Sequence, residues 1–234
     1  MAFVLLSVAF FTLFERRILG YCHTRFGPNK VFLFGGFQPF RDALKLFIRL
    51  DYRGKEFNFL VWFFAPFLGI LLSLVLWGFF PFWGVLIFFK FSFLLLILIS
   101  GLRVYFLLYR GWSTTTKFSL LGSYRSSAQT VSYEVVIVIL FLTIVFCWCS
   151  LILSFSSRYS FLIGFFLLCV PMAVCWIISC IAECNRSPFD FSEGESELVS
   201  GFNTEYGGGL FSLIFIGEYS SILLFSMLSC FLFF

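Results

Sequence analysis

Two glutamates stand where a charge is costly. Glu134 lies about nine residues beyond Arg125, and Glu218 lies about eleven residues into the last apolar run of the chain. At ~1.5 Å of rise per helical residue these positions are roughly 13 Å and 16 Å deep. A carboxylate there costs at least ~2.5 kcal/mol on insertion scales, and a leucine would remove the cost. A raised pKa that keeps the acid protonated, or a hydrated polar interior, would make the position tolerable. Either reading points to proton transfer or ion movement. The plainer alternative is a neutral side chain that holds two helices together by one hydrogen bond.

More acids lie nearby in sequence. Glu183 ends the preceding apolar run, and Glu193, Glu195, Glu197 and Glu205 follow in the loop. Spaced carboxylates of shifting pKa can pass protons through intervening water. Ser192 with Glu195 also fits a capping box that opens a short helix through Val199, which accounts for part of the motif in structural terms. Other chemistries are poorly supplied. His23 is the one histidine, no CxxC occurs, and seven of the eight cysteines (Cys147, Cys149, Cys169, Cys175, Cys180, Cys184 and Cys230) sit in or at the end of apolar runs as filler. We expect no metal site and no catalytic residue of its own in this chain. A redox centre, if one is involved, belongs to other subunits.

The elements that must carry these acids follow from composition. Of 234 residues 61% are hydrophobic and 12% charged, and 39 are phenylalanine. Soluble domains carry roughly 25% charged residues, so the bilayer is the solvent this chain fits. That excludes a soluble enzyme and a nucleic-acid binder. A span needs about 20 mostly apolar residues, and six stretches qualify or nearly so: 1–19, 59–80, 91–109, 127–153, 159–182 and 208–233. The first lacks a basic start and a small-residue cleavage site and reads as a retained helix. Arg103, near the end of the third, is expected to snorkel to the interface. No internal repeat interrupts the pattern, so 1–234 reads as one all-α polytopic membrane domain.

Fourteen of the sixteen lysines and arginines fall in three stretches on one side: the loops 15–58 and 183–207, and the stretch from Arg103 through the loop 110–126. By the positive-inside rule these face the cytoplasm or matrix, and both termini lie on the outer side. The first loop is cationic and the last anionic, which suits a docking face for other proteins. Within the first loop Phe40, Ala43, Leu44, Phe47 and Leu50 recur at helical spacing, giving a short amphipathic helix for the interface.

The loops also resemble a family. Glu15-Arg16-Arg17-Ile18-Leu19-Gly20-Tyr21, Arg25, Gly27-Pro28-Asn29, Gln38-Pro39-Phe40, Asp42-Ala43 and Lys45-Leu46-Phe47 are similar to the first matrix loop of NADH dehydrogenase subunit 1. That family is the quinone-site membrane subunit of respiratory complex I. Ala128-Gln129-Thr130-Val131-Ser132-Tyr133-Glu134-Val135 resembles its fourth-helix motif. Ala182-Glu183, Asn185-Arg186, Pro188-Phe189-Asp190, the run Glu193 to Asn203, Glu205-Tyr206 and Glu218-Tyr219 resemble its fifth-to-sixth segment.

The resemblance implies a mitochondrial inner-membrane protein, or a bacterial plasma-membrane one, working inside a proton-pumping NADH:ubiquinone oxidoreductase. Ubiquinone would be the substrate, with FMN and iron–sulfur clusters held by peripheral-arm subunits and further subunits flanking the chain in the membrane arm. The first helix, the amphipathic helix and the sixth would frame a quinone entrance, with Arg16, Arg17, Arg25, Gln38, Asp42 and Phe47 near it. Arg186, Asp190, Glu193, Glu195 and Glu197 would line the chamber. Glu134, Glu183, Glu205 and Glu218 match the family's chain of acids leading into the membrane. His23, Phe26 and Arg103 depart from the residues usual at their positions. The family has about eight spans against six here, so two helices are lost, supplied by another polypeptide, or outside this stretch. Two other readings share the buried acids: the membrane subunit of an energy-converting hydrogenase, and a proton-coupled secondary transporter, for which repeats are expected.

Overall fold

The computed structural model describes residues 1–30, 35–49, 58–79, 91–114, 116–148, 170–191 and 206–233. Among these the chain is helical: α1 (Ala2–Cys22), α2 (Gln38–Ile48), α3 (Phe59–Gly78), α4 (Ser92–Trp112), α5 (Lys117–Trp148), α6 (Val170–Glu183) and α7 (Gly208–Phe233). By length and composition α3, α4, α5 and α7 suffice to cross a membrane. α1 has 21 residues but carries Glu15, Arg16 and Arg17 in its second half. The fifth expected span is described only from Val170, and its earlier part lies outside the described residues.

Polar and apolar residues are distributed as a bilayer dictates. Phe3, Phe26, Leu60 and Phe146 are among the many large apolar side chains left exposed, while Arg110, Glu183 and a series of serines are buried. Lipid tails are as apolar as leucine, so helices in this solvent associate through close packing and polar contacts. α7 is the central element. It packs against α3, α1, α2 and α6, while α4 lies between α3 and α5. The Trp77 indole N–H donates to the Ser220 carbonyl at 3.0 Å, tying α3 to α7. At one end Trp176, Phe141, Ile144, Leu228 and Leu232 form the apolar core.

The fourth expected span, α5, differs from expectation. It starts at Lys117 rather than near Ser127, so the loop expected over 110–126 contracts to a short turn after α4. The cause is local. Ser123, Ser126, Ser127 and Thr130 bond back to carbonyls three or four residues earlier, so a polar stretch satisfies itself as a helix and can be buried. Ser119 is likewise buried and bonds to Thr114. These small side chains let α5 approach α4 closely. A Cβ on Gly111 would run into the Ser123 side chain.

α2 opens on Gln38-Pro39, the position where proline is preorganised for a helix. Phe40, Leu44 and Phe47 remain exposed along it, as an interfacial helix requires. Gln129 joins α5 to the end of α6: its amide N–H₂ donates to the carbonyls of Ala182 and Phe189, both at 2.8 Å. That link fixes Glu183 and the turn carrying Arg186.

If the α4–α5 approach depends on Gly111, Gly111→Val forces the helices apart and costs about 1–3 kcal/mol, the usual range for overpacking. Less assembled protein on native gels and a lower Tm in membranes are the expected results. A wild-type melting curve would refute the packing role.

Candidate functional site

α4 carries two arginines seven residues apart, hence on one helix face. Arg110 is 0% exposed, and its Nη1 donates to Glu218 Oε1 of α7 at 2.8 Å. The rings of Phe106 and Tyr206 lie 5.5 Å and 5.8 Å from its guanidinium carbon. Burial pushes the Tyr206 phenol up, and its contact with Ser113 and the nearby Arg110 cation partly offset this. Arg103 stands 3.6 Å from Glu183 Oε1 and donates from Nη2 to the Ser221 hydroxyl at 3.2 Å. It therefore faces the bundle interior and does not reach out to the interface as the sequence suggested. Glu134 of α5 approaches α4 at Gly101, where a Cβ would collide with its carboxylate. Glycine leaves the room that the acid occupies, within electrostatic reach of Arg103.

A second cluster joins α1 to α7. The Tyr219 hydroxyl donates to Glu15 Oε2 at 2.6 Å, and Arg186 Nη1 pairs with Glu15 Oε1 at 3.2 Å. The Arg186 guanidinium lies 4.8 Å from the centre of the Tyr219 ring. Burial works against the Arg186 cation, yet Tyr219 and Glu15 more than compensate and hold its pKa above an ordinary arginine's.

Between the clusters lies a cavity of about 140 Å³ lined by Arg103, Thr130, Glu183, Cys184, Asn185, Arg186, Asp190, Glu218, Tyr219 and Ser221 among others. Arg103 Nη1, Glu183 Oε2 and Asn185 Oδ1 are buried there without a hydrogen bond from the protein. A space of this size, at ~30 Å³ per water, has room for about four molecules and offers the polar partners that water needs.

A larger groove of about 610 Å³ runs between α1, α2 and α7. Leu5, Val8, Ala9, Phe211, Phe215 and Ile216 make its apolar wall, and Glu15, Arg16, Asp42, Lys45 and Arg49 its charged part. Asp42 pairs with Arg16 and accepts from the Gln38 amide at 2.9 Å, which fixes α2 against α1. Cavity and groove share Phe215 and Tyr219.

Of the residues named from sequence, the groove takes in Arg16, Asp42 and Phe47, with Gln38 held on Asp42. Arg17 packs instead against Gly27, and Arg25 is exposed. The cavity collects Glu183, Arg186, Asp190 and Glu218, with Glu134 beside it at Gly101. Glu193, Glu195, Glu197 and Glu205, and the capping box at Ser192, lie outside the described residues. Four residues were missed: Glu15, Arg103, Arg110 and Tyr219. The cost of buried charge that singled out Glu134 and Glu218 applies equally to an arginine in an apolar run, and would have singled out Arg103.

The NADH dehydrogenase family model matches residues 1–234. The chain belongs to this family. It is 44% identical over 225 residues to NADH-ubiquinone oxidoreductase chain 1 of Aedes aegypti, covering 96% of this chain and 72% of the relative. The protein of the same name from Branchiostoma lanceolatum is 45% identical over 98% of this chain and 74% of its own length. That of Artemia franciscana is 46% identical over 96% and 76%.

The cavity predicts the reactivity of one cysteine. Burial pushes the Cys184 thiol up to about 12; Arg103 opposes the shift and Glu183 adds to it. The thiolate is the nucleophile, so at pH 8 Cys184 holds far less of the reactive form than an ordinary thiol does. In detergent-solubilised protein at pH 8, maleimide is expected to label the exposed Cys22 and spare Cys184. Equal labelling of both, read by mass spectrometry, would contradict this environment.

Proposed function

We propose that this chain is the quinone-site membrane subunit of a proton-pumping NADH:ubiquinone oxidoreductase of the mitochondrial inner membrane. Ubiquinone is the substrate. Electrons reach it from NADH through FMN and iron–sulfur clusters carried by peripheral-arm subunits, and this chain contributes the binding and proton-handling side chains. The observation that carries the reading is the common wall: the apolar groove and the polar cavity share Phe215 and Tyr219, with Glu15 on one side paired to Arg186 on the other.

The division of labour follows from the chemistry of the quinone. An isoprenoid tail needs an extended apolar surface, which α1, α2 and α7 supply along the groove. The head group needs hydrogen-bond donors and protons. Reduction to the quinol consumes two electrons and two protons, so the site must couple charge arriving on the head group to acids beside it. Arg16, Asp42 and Gln38 fix the α1–α2 wall of the entrance. Arg17, Arg25 and Phe47 stand near that entrance in this reading, and Arg186, Asp190 and the acids Glu193, Glu195 and Glu197 line the chamber. Glu134, Glu183, Glu205 and Glu218 relay the proton demand into the membrane, with cavity water bridging gaps too long for a direct hydrogen bond.

Glu134→Gln and Glu183→Gln test the relay. Each keeps the shape and removes the titratable group, and each is expected to lower quinone-coupled proton pumping about a hundredfold or more, the range that a lost acid–base group costs. The measurement is proton uptake per NADH oxidised in sealed vesicles holding the assembled complex. Unchanged pumping and quinone reduction in both variants would remove the relay role.

A further inference from the structure

The acids of the cavity do not face it alone, and the cations that meet them differ from carboxylates in one decisive respect. A guanidinium keeps its proton in any protein environment, whereas a carboxyl group can take one up. Arg110 is fully buried, and Arg103 is 18% exposed. A permanent cation at such a site is tolerated only beside an anion. Arg110 meets Glu218 at 2.8 Å and Arg103 meets Glu183 at 3.6 Å. The acids facing α4 from α5, α6 and α7 number three: Glu134, Glu183 and Glu218. α4 supplies two cations.

The remaining charge falls on Glu134. Among the described residues it makes no ion pair and no hydrogen bond, and it rests against the backbone at Gly101. Arg186 is paired with Glu15, Cys184 is neutral, Tyr219 is a hydrogen-bond donor to Glu15, and Asp190 lies on the turn beyond α6.

We propose that Arg103 and Arg110 are positioning residues that hold Glu183 and Glu218 as carboxylates and leave Glu134 as the member of the trio that exchanges a proton. The inference rests on the relay reading above and assigns separate roles within it. Glu183 and Glu218 set the field and order the cavity water, and Glu134 carries the proton. Arg103, which pairs with Glu183 and lies within electrostatic reach of Glu134, balances one against the other.

Infrared difference spectra of the assembled complex, recorded on quinone reduction, test the assignment through the carbonyl stretch of a protonated carboxylic acid. The expected pattern is loss of one such band in Glu134→Gln and its retention in Glu183→Gln and Glu218→Gln. In Arg103→Gln a second acid band is expected, because Glu183 no longer faces a cation. The alkaline limb of the pumping rate then moves up by about one pH unit or more, the usual effect of removing an opposite charge at this distance. Arg103→Lys keeps a cation and is expected to keep the native spectrum and limb.

A band lost in Glu183→Gln and kept in Glu134→Gln overturns the proposal, as does an Arg103→Gln spectrum and pH profile identical to the native ones. Either result, with pumping still abolished by Glu134→Gln, leaves the relay standing. Normal pumping in Glu134→Gln overturns this inference, and the relay falls with it only where Glu183→Gln also pumps normally. Where Arg103→Gln does not assemble, the Glu134→Gln and Glu183→Gln spectra decide alone.

Discussion

A guanidinium that cannot release its proton, placed where water does not reach, imposes its needs on everything around it. Arg110 is the clearest case. With no exposed surface, it requires a carboxylate within hydrogen-bond distance, and Glu218 on α7 supplies one. That requirement fixes the height of α7 relative to α4. It also places Tyr206 and Phe106 against the cation and gives the Ser113 turn a hydroxyl partner. The Arg103–Glu183 pair does the same for α6. The helices are thus set in register by charges, while their apolar faces would tolerate sliding.

The packing that permits this is made of small side chains. Gly101 leaves space for the Glu134 carboxylate, Gly111 admits Ser123, and the hydroxyls at the start of α5 satisfy themselves on their own helix. Glycine and serine bring backbones close enough for buried polar groups to find partners across the seam, which is how membrane bundles gain cohesion without a hydrophobic drive. Bulk is displaced outward, and the phenylalanine-rich faces meet lipid.

How much of this was legible in the sequence depended on whether a residue's meaning is local. Spans that begin and end in apolar runs, such as Gly208–Phe233, follow directly from hydropathy. The amphipathic helix at Gln38–Ile48 was visible in its period, to within two residues. The start of α5 was not, because Ser123 and Ser126 read as loop until their bonds back onto the helix are seen. Glu134 and Glu218 drew attention through the cost of an acid in an apolar run. Arg110 was hidden because it fell in an expected loop. Glu15 was hidden because it sat at a helix end, where a charge is cheap. The partner of each was a tertiary fact: nothing near Glu15 in sequence points to Tyr219, 204 residues away.

The groove along α1 has a consequence for how occupancy is counted. Its wall is built partly from Leu5 and Leu19, which are also among the exposed apolar residues of α1. A hydrophobic guest entering past them arrives from the bilayer by lateral diffusion in two dimensions. Its relevant concentration is then moles per mole of lipid. Diluting the aqueous phase leaves the site's filling unchanged, whereas adding empty lipid lowers it. An affinity quoted in molar units would describe the vesicle preparation as much as the protein.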